Sequence, residues 1–415
     1  MKTTLFAILC TVIVILTSLT FGDTKVPDEN TVLLPVKNDP TISFRIWFKV
    51  GSQNDPAGKD GLSAITADML TDASTQNNSY EEVLDKLFPL AASYSASSSV
   101  EMTVIYGRTH KDNLKEYYPL FTDAILLPAF KQEDLDRIKD QTLNYLENTL
   151  RYSSDEELGK AVLYNDIFAG TPYGHITEGL IDNVRSITLD DVRDFYRQNY
   201  KRDNFVIGLG GGYESSLVEK LKKDLSGLPA GSAGPISKPQ PKPINGMKVT
   251  IVEKDAASTA ISMGFPIDIL RGSKEWYALA VANSWLGEHR NSSSHLFQVI
   301  REERGLNYGD YSYIENFPNG GRRQMPPQNV CRRQQIFEIW IRPVPNEARH
   351  FALRAALREF KNLVENGMTE SSFELTRGFL NKYVLHLYYL PMKHIYFLFF
   401  LIQHFLFLIQ TTYFP

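Results

Sequence analysis

Cysteine is almost missing from this chain, with two in 415 residues, Cys10 and Cys331. Cys10 falls in an apolar leader, so Cys331 stands alone once the leader is removed and no internal disulfide can form. The fold must then be held by its hydrophobic cores. Arg332 and Arg333 follow Cys331 and a polar stretch precedes it, which reads as a loop or strand start and not as an activated thiol, and Arg322-Arg323 with Arg332-Arg333-Gln334-Gln335 read as a basic, solvated edge. Histidine is sparse as well: His110, His175, His289 and His295 are scattered without the spacing of metal ligands. Neither sign of charge dominates, with a net charge of −4 and a pI near 6.1, which argues against nucleic acid or an anionic membrane as the main partner. What is present is the composition of a folded protein, 43% hydrophobic and 22% charged, in a chain long enough for two domains.

The N-terminus has the form of a secretory signal. Lys2 supplies a positive start, Leu5 to Leu16 is an apolar run, and Thr20-Phe21-Gly22 offers small residues for cleavage. The run is short for a membrane span of about 20 residues. Residues 1–22 are therefore expected to be removed, and the product to be periplasmic or extracellular. Asn291-Ser292-Ser293 is a glycosylation sequon, of use only in a eukaryotic secretory pathway.

Proline and glycine crowd the stretch from Gly227 to Lys248, which predicts an extended connector without regular structure. It divides the chain into a first domain over 23–230, a linker over 231–247 and a second domain over 248–385. In the first domain Ile42, Phe44, Ile46 and Phe48 alternate as in a half-buried strand. Helices are expected from Gly61, after the cap Ser79-Tyr80-Glu81-Glu82, from Asp112, from Gln132 and from Thr188. Ser93 to Tyr106 and Asn204 to Gly208 read as strands, and Gly208 to Gly212 as a strand-end turn. The second domain repeats the outline with strands at Lys248–Glu253 and Thr259–Phe265, helices from Lys274 and Asn346, and strands near Tyr308 and Ile336. The fold class is α+β, two similar sandwich domains with strands on one side and helices on the other. From Tyr388 the character changes, and residues 386–415 form an almost uncharged aromatic and aliphatic tail. Such a tail reads as a membrane anchor or as a shift of reading frame, and either reading leaves the second domain incomplete.

Val50 to Leu70 reads VGSQNDPAGKDGLSAITADML. This segment resembles the insulinase (pitrilysin) peptidase family, in which a strand ending in Gly-Ser leads to a helix with the inverted zinc motif. In the family two histidines share one helix face, a glutamate between them is the general base, and a later glutamate completes the ligands. Gly61, Leu62, Met69 and Leu70 match that frame, but the histidine positions hold Ala64 and Asp68 and the glutamate position holds Ala67. Alanine neither ligates a metal nor moves a proton. The later ligand is expected within Gln141 to Glu147, where Glu147 is the nearest carboxylate and Asn144 or Tyr145 lies nearer the slot.

A second segment, Ser294 to Tyr308, reads SHLFQVIREERGLNY and is similar to the family's arginine–tyrosine signature. The resemblance implies that Arg301 and Tyr308 hold substrate, the arginine by its planar donors and the tyrosine at the oxyanion. Tyr173-Gly174-His175 is a further landmark, with His175 ordering its turn. The resemblance covers residues 30–385. It implies a substrate-binding subunit without its own zinc, acting on unfolded peptide together with a zinc-bearing partner. A self-sufficient zinc peptidase with an atypical site, and a structural scaffold of the same fold, remain the alternatives.

Overall fold

The computed structural model describes residues 30–232, 234–315 and 330–389. The leader, Arg322-Arg323 and the tail beyond 389 lie outside the described residues.

The first half opens with β1 (Thr31–Pro35) and β2 (Thr41–Phe48). Ile42, Phe44, Ile46 and Phe48 all point into the core, because successive side chains of a strand face opposite sides. Next come α1 (Leu62–Thr71) and α2 (Tyr80–Leu87). α2 starts where expected: Ser79 Oγ accepts from the Glu82 amide and the Glu82 carboxylate accepts from the Ser79 amide. The stretch expected as one strand from Ser93 is a hairpin, β3 (Ser93–Ser98) and β4 (Thr103–His110). It turns where the Ser99 amide donates to the Met102 carbonyl at 2.8 Å, a local bond that side-chain alternation does not reveal.

Helices α3 (Leu114–Leu126), α4 (Gln132–Asn144), α5 (Asp155–Phe168), α6 (Ile181–Ser186) and α7 (Leu189–Asn199) follow. A π-helical segment, Tyr145–Ser153, extends α4. The first half ends with β5 (Phe205–Gly211) and α8 (Ser215–Leu225). The five-stranded sheet has the order β1-β5-β2-β4-β3, with β5 parallel to β1 and antiparallel to β2. Gly211 ends β5 at φ 106°, and a Cβ there would lie 2.0 Å from the Thr41 carbonyl oxygen, so only glycine fits. The glycine run is a strand end, as expected.

No helix or strand lies among the described residues between Leu225 and Ser258. The expected strand at Lys248–Glu253 is therefore not formed. Lys248 and Thr250 instead bind Asp166 of α5, while Val249 and Ile251 are exposed. Alternation made this segment a competent strand, but no neighbour among the described residues pairs with it.

The second half contains β6 (Ser258–Ile267), α9 (Lys274–Gly287), β7 (Asp310–Tyr313), β8 (Gln335–Pro345), α10 (Arg349–Asn366) and α11 (Glu370–Tyr389). Its antiparallel sheet has the order β6-β8-β7. One face meets α9 and α10 in a core that includes Trp276, Phe337, Ile339 and Ala352. The other face is covered by α5, which belongs to the first half. Lys160 of α5 sits 3.6 Å from the Trp340 ring centroid, Arg342 pairs with Glu156, and Phe168 packs with Ile336.

Arg332 and Arg333, expected as a solvated edge, are half-buried at this junction. Arg332 lies over Tyr164 and Tyr173, and Arg333 binds Glu101, Gln53 and the Ile236 carbonyl. Asn291 is 8% exposed and its side chain bonds Glu288 and Ser293, so the folded chain does not offer the sequon for glycosylation. No helix among the described residues is long and apolar enough to cross a membrane.

Candidate functional site

The helix that carries the family frame is α1, and the reason for its glycine is visible. Gly61 is its N-cap at φ 99°, and a Cβ there would meet the Glu178 carbonyl oxygen at 2.7 Å. The loop over 55–61 is thus pressed against the loop over 175–179. Asp55 closes the helix start by accepting from the Gly61 and Ser63 amides, each at 2.7 Å. Its carboxyl is buried, which pushes its pKa up to about 7 against the opposing pull of His175. His175 lies 3.9 Å from Asp55 and 3.7 Å from Asp60, with Nδ1 2.9 Å from the Ile176 carbonyl. It does order its turn, as the sequence led us to expect.

The altered motif residues lie along the same helix. Ala64 is partly buried, Ala67 is 1% exposed, and Asp68 is partly buried. Burial pushes the Asp68 carboxyl up to about 7, and the neighbouring Asp72 and Glu178 carboxylates add to it. Glu178 is itself raised, first by burial and then by Glu157. Glu147, the expected nearest carboxylate, pairs with Arg185 at the surface instead. Glu178 was missed because it comes from a loop remote in sequence; its only sequence signal is its place just before Gly179, in the Tyr173-Gly174-His175 landmark region.

These residues do not fit zinc. Two of the three motif positions have no donor atom, and the third is a lone carboxyl whose charging is opposed first by burial and then by Asp72 and Glu178. Among the described residues, no group of three or more His, Cys, Asp or Glu is arranged to hold a metal ion. At Cys331, partial burial of the sulfur and then the Glu101 carboxylate push the thiol above its ordinary range, which disfavours the thiolate.

Asp68 leads to a prediction. Its carboxyl titrates near 3.8 when unfolded and near 7 when folded, so between these values the folded chain holds the extra proton. Stability contributed by this site is present below pH 3.8 and is lost as pH rises towards 7. Asp68→Asn removes the cost of charging the group. It is expected to stabilise the chain at pH 8 by on the order of 1–3 kcal/mol and to change little at pH 4. Urea unfolding at the two pH values measures this.

Arg301 and Tyr308 lie in the second half. Arg301 is on a π-helical turn, Phe297–Glu302, with its guanidinium 4.9 Å from the Phe297 ring centroid and paired with Glu302. Tyr308 is 79% exposed at the tip of a turn. Asn307 anchors that turn by donating to Asp310 at 2.8 Å and to the Arg342 carbonyl at 3.2 Å. Arg301 and Tyr308 share one surface segment. Among the described residues no hydrogen bond or ion pair joins either to α1.

Beside α1 runs β3, the last strand of the first sheet. Its outer backbone edge faces no other strand among the described residues, which leaves donors and acceptors for an extended peptide.

A family model described as insulinase (peptidase family M16) matches residues 31–179, and one described as peptidase M16 inactive domain matches residues 186–379. An uncharacterized zinc protease of Streptomyces coelicolor is 23% identical over 346 residues, covering 80% of this chain and 69% of the relative. The mitochondrial-processing peptidase subunit beta of Dictyostelium discoideum is 22% identical over 187 residues, covering 45% of this chain and 39% of that subunit. A crystal structure of a peptidase M16 inactive domain from Pseudomonas fluorescens superposes with a TM-score of 0.73 at 22% identity, covering 90% of this chain and 89% of that one. That structure supports the two-domain α+β fold. With both family models matched in tandem, and with Ala64, Ala67 and Asp68 standing at the motif positions of α1, the chain belongs to the insulinase (M16) peptidase family.

Proposed function

We propose that this chain is the substrate-binding subunit of a two-chain peptidase, exported to the periplasm or beyond, which works with a zinc-bearing partner of the same family. The observation that carries this reading is the pairing of α1, whose motif positions hold two alanines and one aspartate, with the β3 edge that no strand among the described residues covers. The helix has lost the chemistry of bond cleavage, while the adjacent edge still offers backbone pairing to an unfolded peptide. The arginine–tyrosine segment adds to this. Arg301 presents a planar fork of donors to a peptide carbonyl, and Tyr308 presents a hydroxyl at an exposed tip. Neither is needed to hold the core: Tyr308 is exposed, and Arg301 lies over the Phe297 ring and pairs with Glu302 at the surface. The Dictyostelium relative is by its name one subunit of a peptidase, which supports a divided arrangement.

The test is reconstitution. The purified chain is expected to hydrolyse no peptide and to retain well under one zinc per molecule by metal analysis. Addition of a zinc-bearing family member is expected to produce activity that a chelator abolishes. Chelator-sensitive hydrolysis by the chain alone, with one zinc per molecule, would overturn the reading in favour of a self-sufficient enzyme.

A further inference from the structure

The C-terminal end of α1, beyond the motif positions, borders a cavity of about 260 Å³ that is half-open to solvent. Asp72 follows α1, Tyr80, Leu84 and Leu87 come from α2, and Tyr94 comes from β3. Phe88 stands at the end of α2 and completes the wall. The space suits one long side chain. Two polar groups in it lack what they would bond. The Tyr94 side chain is 7% exposed, and its hydroxyl has no hydrogen-bond partner among the described residues. A buried hydroxyl left in this state costs free energy that a ligand donor recovers. Among the described residues the Asp72 carboxylate also receives no hydrogen bond and no ion pair. Only its backbone is engaged, the amide by Asp68 and the carbonyl by Arg137.

The charges around the cavity select the sign of its ligand. Arg137 acts on Asp72 from a distance, but its guanidinium is already committed. It donates to the Asp72 carbonyl and to Asp134, and lies over the Tyr80 ring at 4.3 Å. Asp72, Asp134 and Glu81 act on the Tyr80 hydroxyl, and Asp72 and Asp123 act on that of Tyr94. Around these two tyrosines four carboxylates therefore stand against one guanidinium, which attracts a cation and repels an anion. The mouth is apolar, with Leu84 48% and Phe88 87% exposed. An inorganic cation gains nothing from such a collar. A long side chain with a charged end gains from both parts, laying its methylenes along Leu84 and Phe88 and its charge against the carboxylate and the aromatic rings.

We infer that this cavity takes one lysine or arginine side chain of a bound peptide, held at its charged end by Asp72 and Tyr94 and along its stem by Leu84 and Phe88. Ser93 and Tyr94 line the cavity and begin β3, so a peptide lying beside that strand brings alternate side chains to the mouth. The subunit then selects unfolded peptides by a basic residue at a fixed place along β3. The inference rests on the peptide-binding reading above and needs neither zinc nor the second half.

Two fluorescein-labelled peptides test this on the full chain by fluorescence anisotropy at pH 8. Both are threonine- and glutamine-rich and differ at one central residue, lysine in one and norleucine in the other, which keeps the stem and lacks the ammonium. The lysine peptide is expected to bind about tenfold more tightly, the range for a charge-assisted bond. Asp72→Asn is expected to bring its affinity down to that of the norleucine peptide and to leave the latter unchanged. Phe88→Ala, at a side chain exposed on the rim, is expected to weaken both peptides by a similar factor. Excess n-butylammonium is expected to remove the lysine advantage only. Equal binding of the two peptides would overturn this inference alone. So would a lysine advantage that survives Asp72→Asn, or n-butylammonium binding at Asp72 with no advantage for the lysine peptide, which would make the cavity a site for free amines. Binding of neither peptide would overturn the peptide-binding reading and this inference with it.

Discussion

In the reconstituted pair, Arg301→Ala combined with Tyr308→Phe is expected to lower kcat/KM for a peptide by about 100- to 1,000-fold, the range for loss of a preorganised oxyanion donor. The two substitutions remove different things. Tyr308→Phe deletes one hydroxyl and keeps the ring, so its effect belongs in kcat. Arg301→Ala deletes a fork of donors to bound peptide, so it raises KM as well. Folding is not at stake. Tyr308 is 79% exposed, and Arg301 gives up only its contact with Phe297 and a surface pair with Glu302. Surface changes of this kind stay within about 0.5 kcal/mol. Steady-state kinetics on the wild-type and doubly substituted pairs, with unchanged thermal unfolding of the chain, measures the effect. Equal rates would remove the role in trans and make this chain a scaffold.

The largest stability effect is expected at Phe44. Its ring is wholly buried at the centre of the first sheet, with centroids 5.1 Å from Phe121, 5.9 Å from Tyr117 and 6.3 Å from Tyr118. Phe44→Ala loses the transfer energy of the ring and leaves a cavity that three aromatic neighbours, fixed by their own helix, cannot collapse to fill. A cost of about 3–5 kcal/mol is expected, read as a fall in the urea midpoint. Phe265 of β6 is the comparison. It is 39% exposed although it stacks on Phe337 at 5.5 Å. Phe265→Ala should therefore cost clearly less. Equal costs would mean that the second core is as well closed as the first.

Much of this was legible in the residues, and particular ones show why. Ile42 to Phe48 alternate because one face of β2 is core, and the structure buries those four side chains. Thr188 and Asp191 cap α7 in both directions, a local exchange of bonds that depends on spacing alone. Gly61, Leu62, Met69 and Leu70 identified α1 although its chemistry had been replaced. Other features were not legible. Ser93 to Tyr106 looked like one strand because its alternation runs on past the turn at 99–102, which the Ser99 amide and hydroxyl close by donating to the Met102 carbonyl. Lys248–Glu253 has the pattern of a strand, but a strand exists only if a neighbour accepts its hydrogen bonds.

The sequence by itself determined the family, the loss of zinc donors at Ala64 and Ala67, and the survival of Arg301 and Tyr308, because each depends on which atoms stand at a position. The tertiary structure decided the rest. It placed Glu178 by Asp68, paired Glu147 with Arg185, carried α5 across to the second sheet and, among the described residues, left the outer edge of β3 without a neighbouring strand. Those outcomes depend on which distant segments approach one another, and a pattern along one chain does not contain that distance.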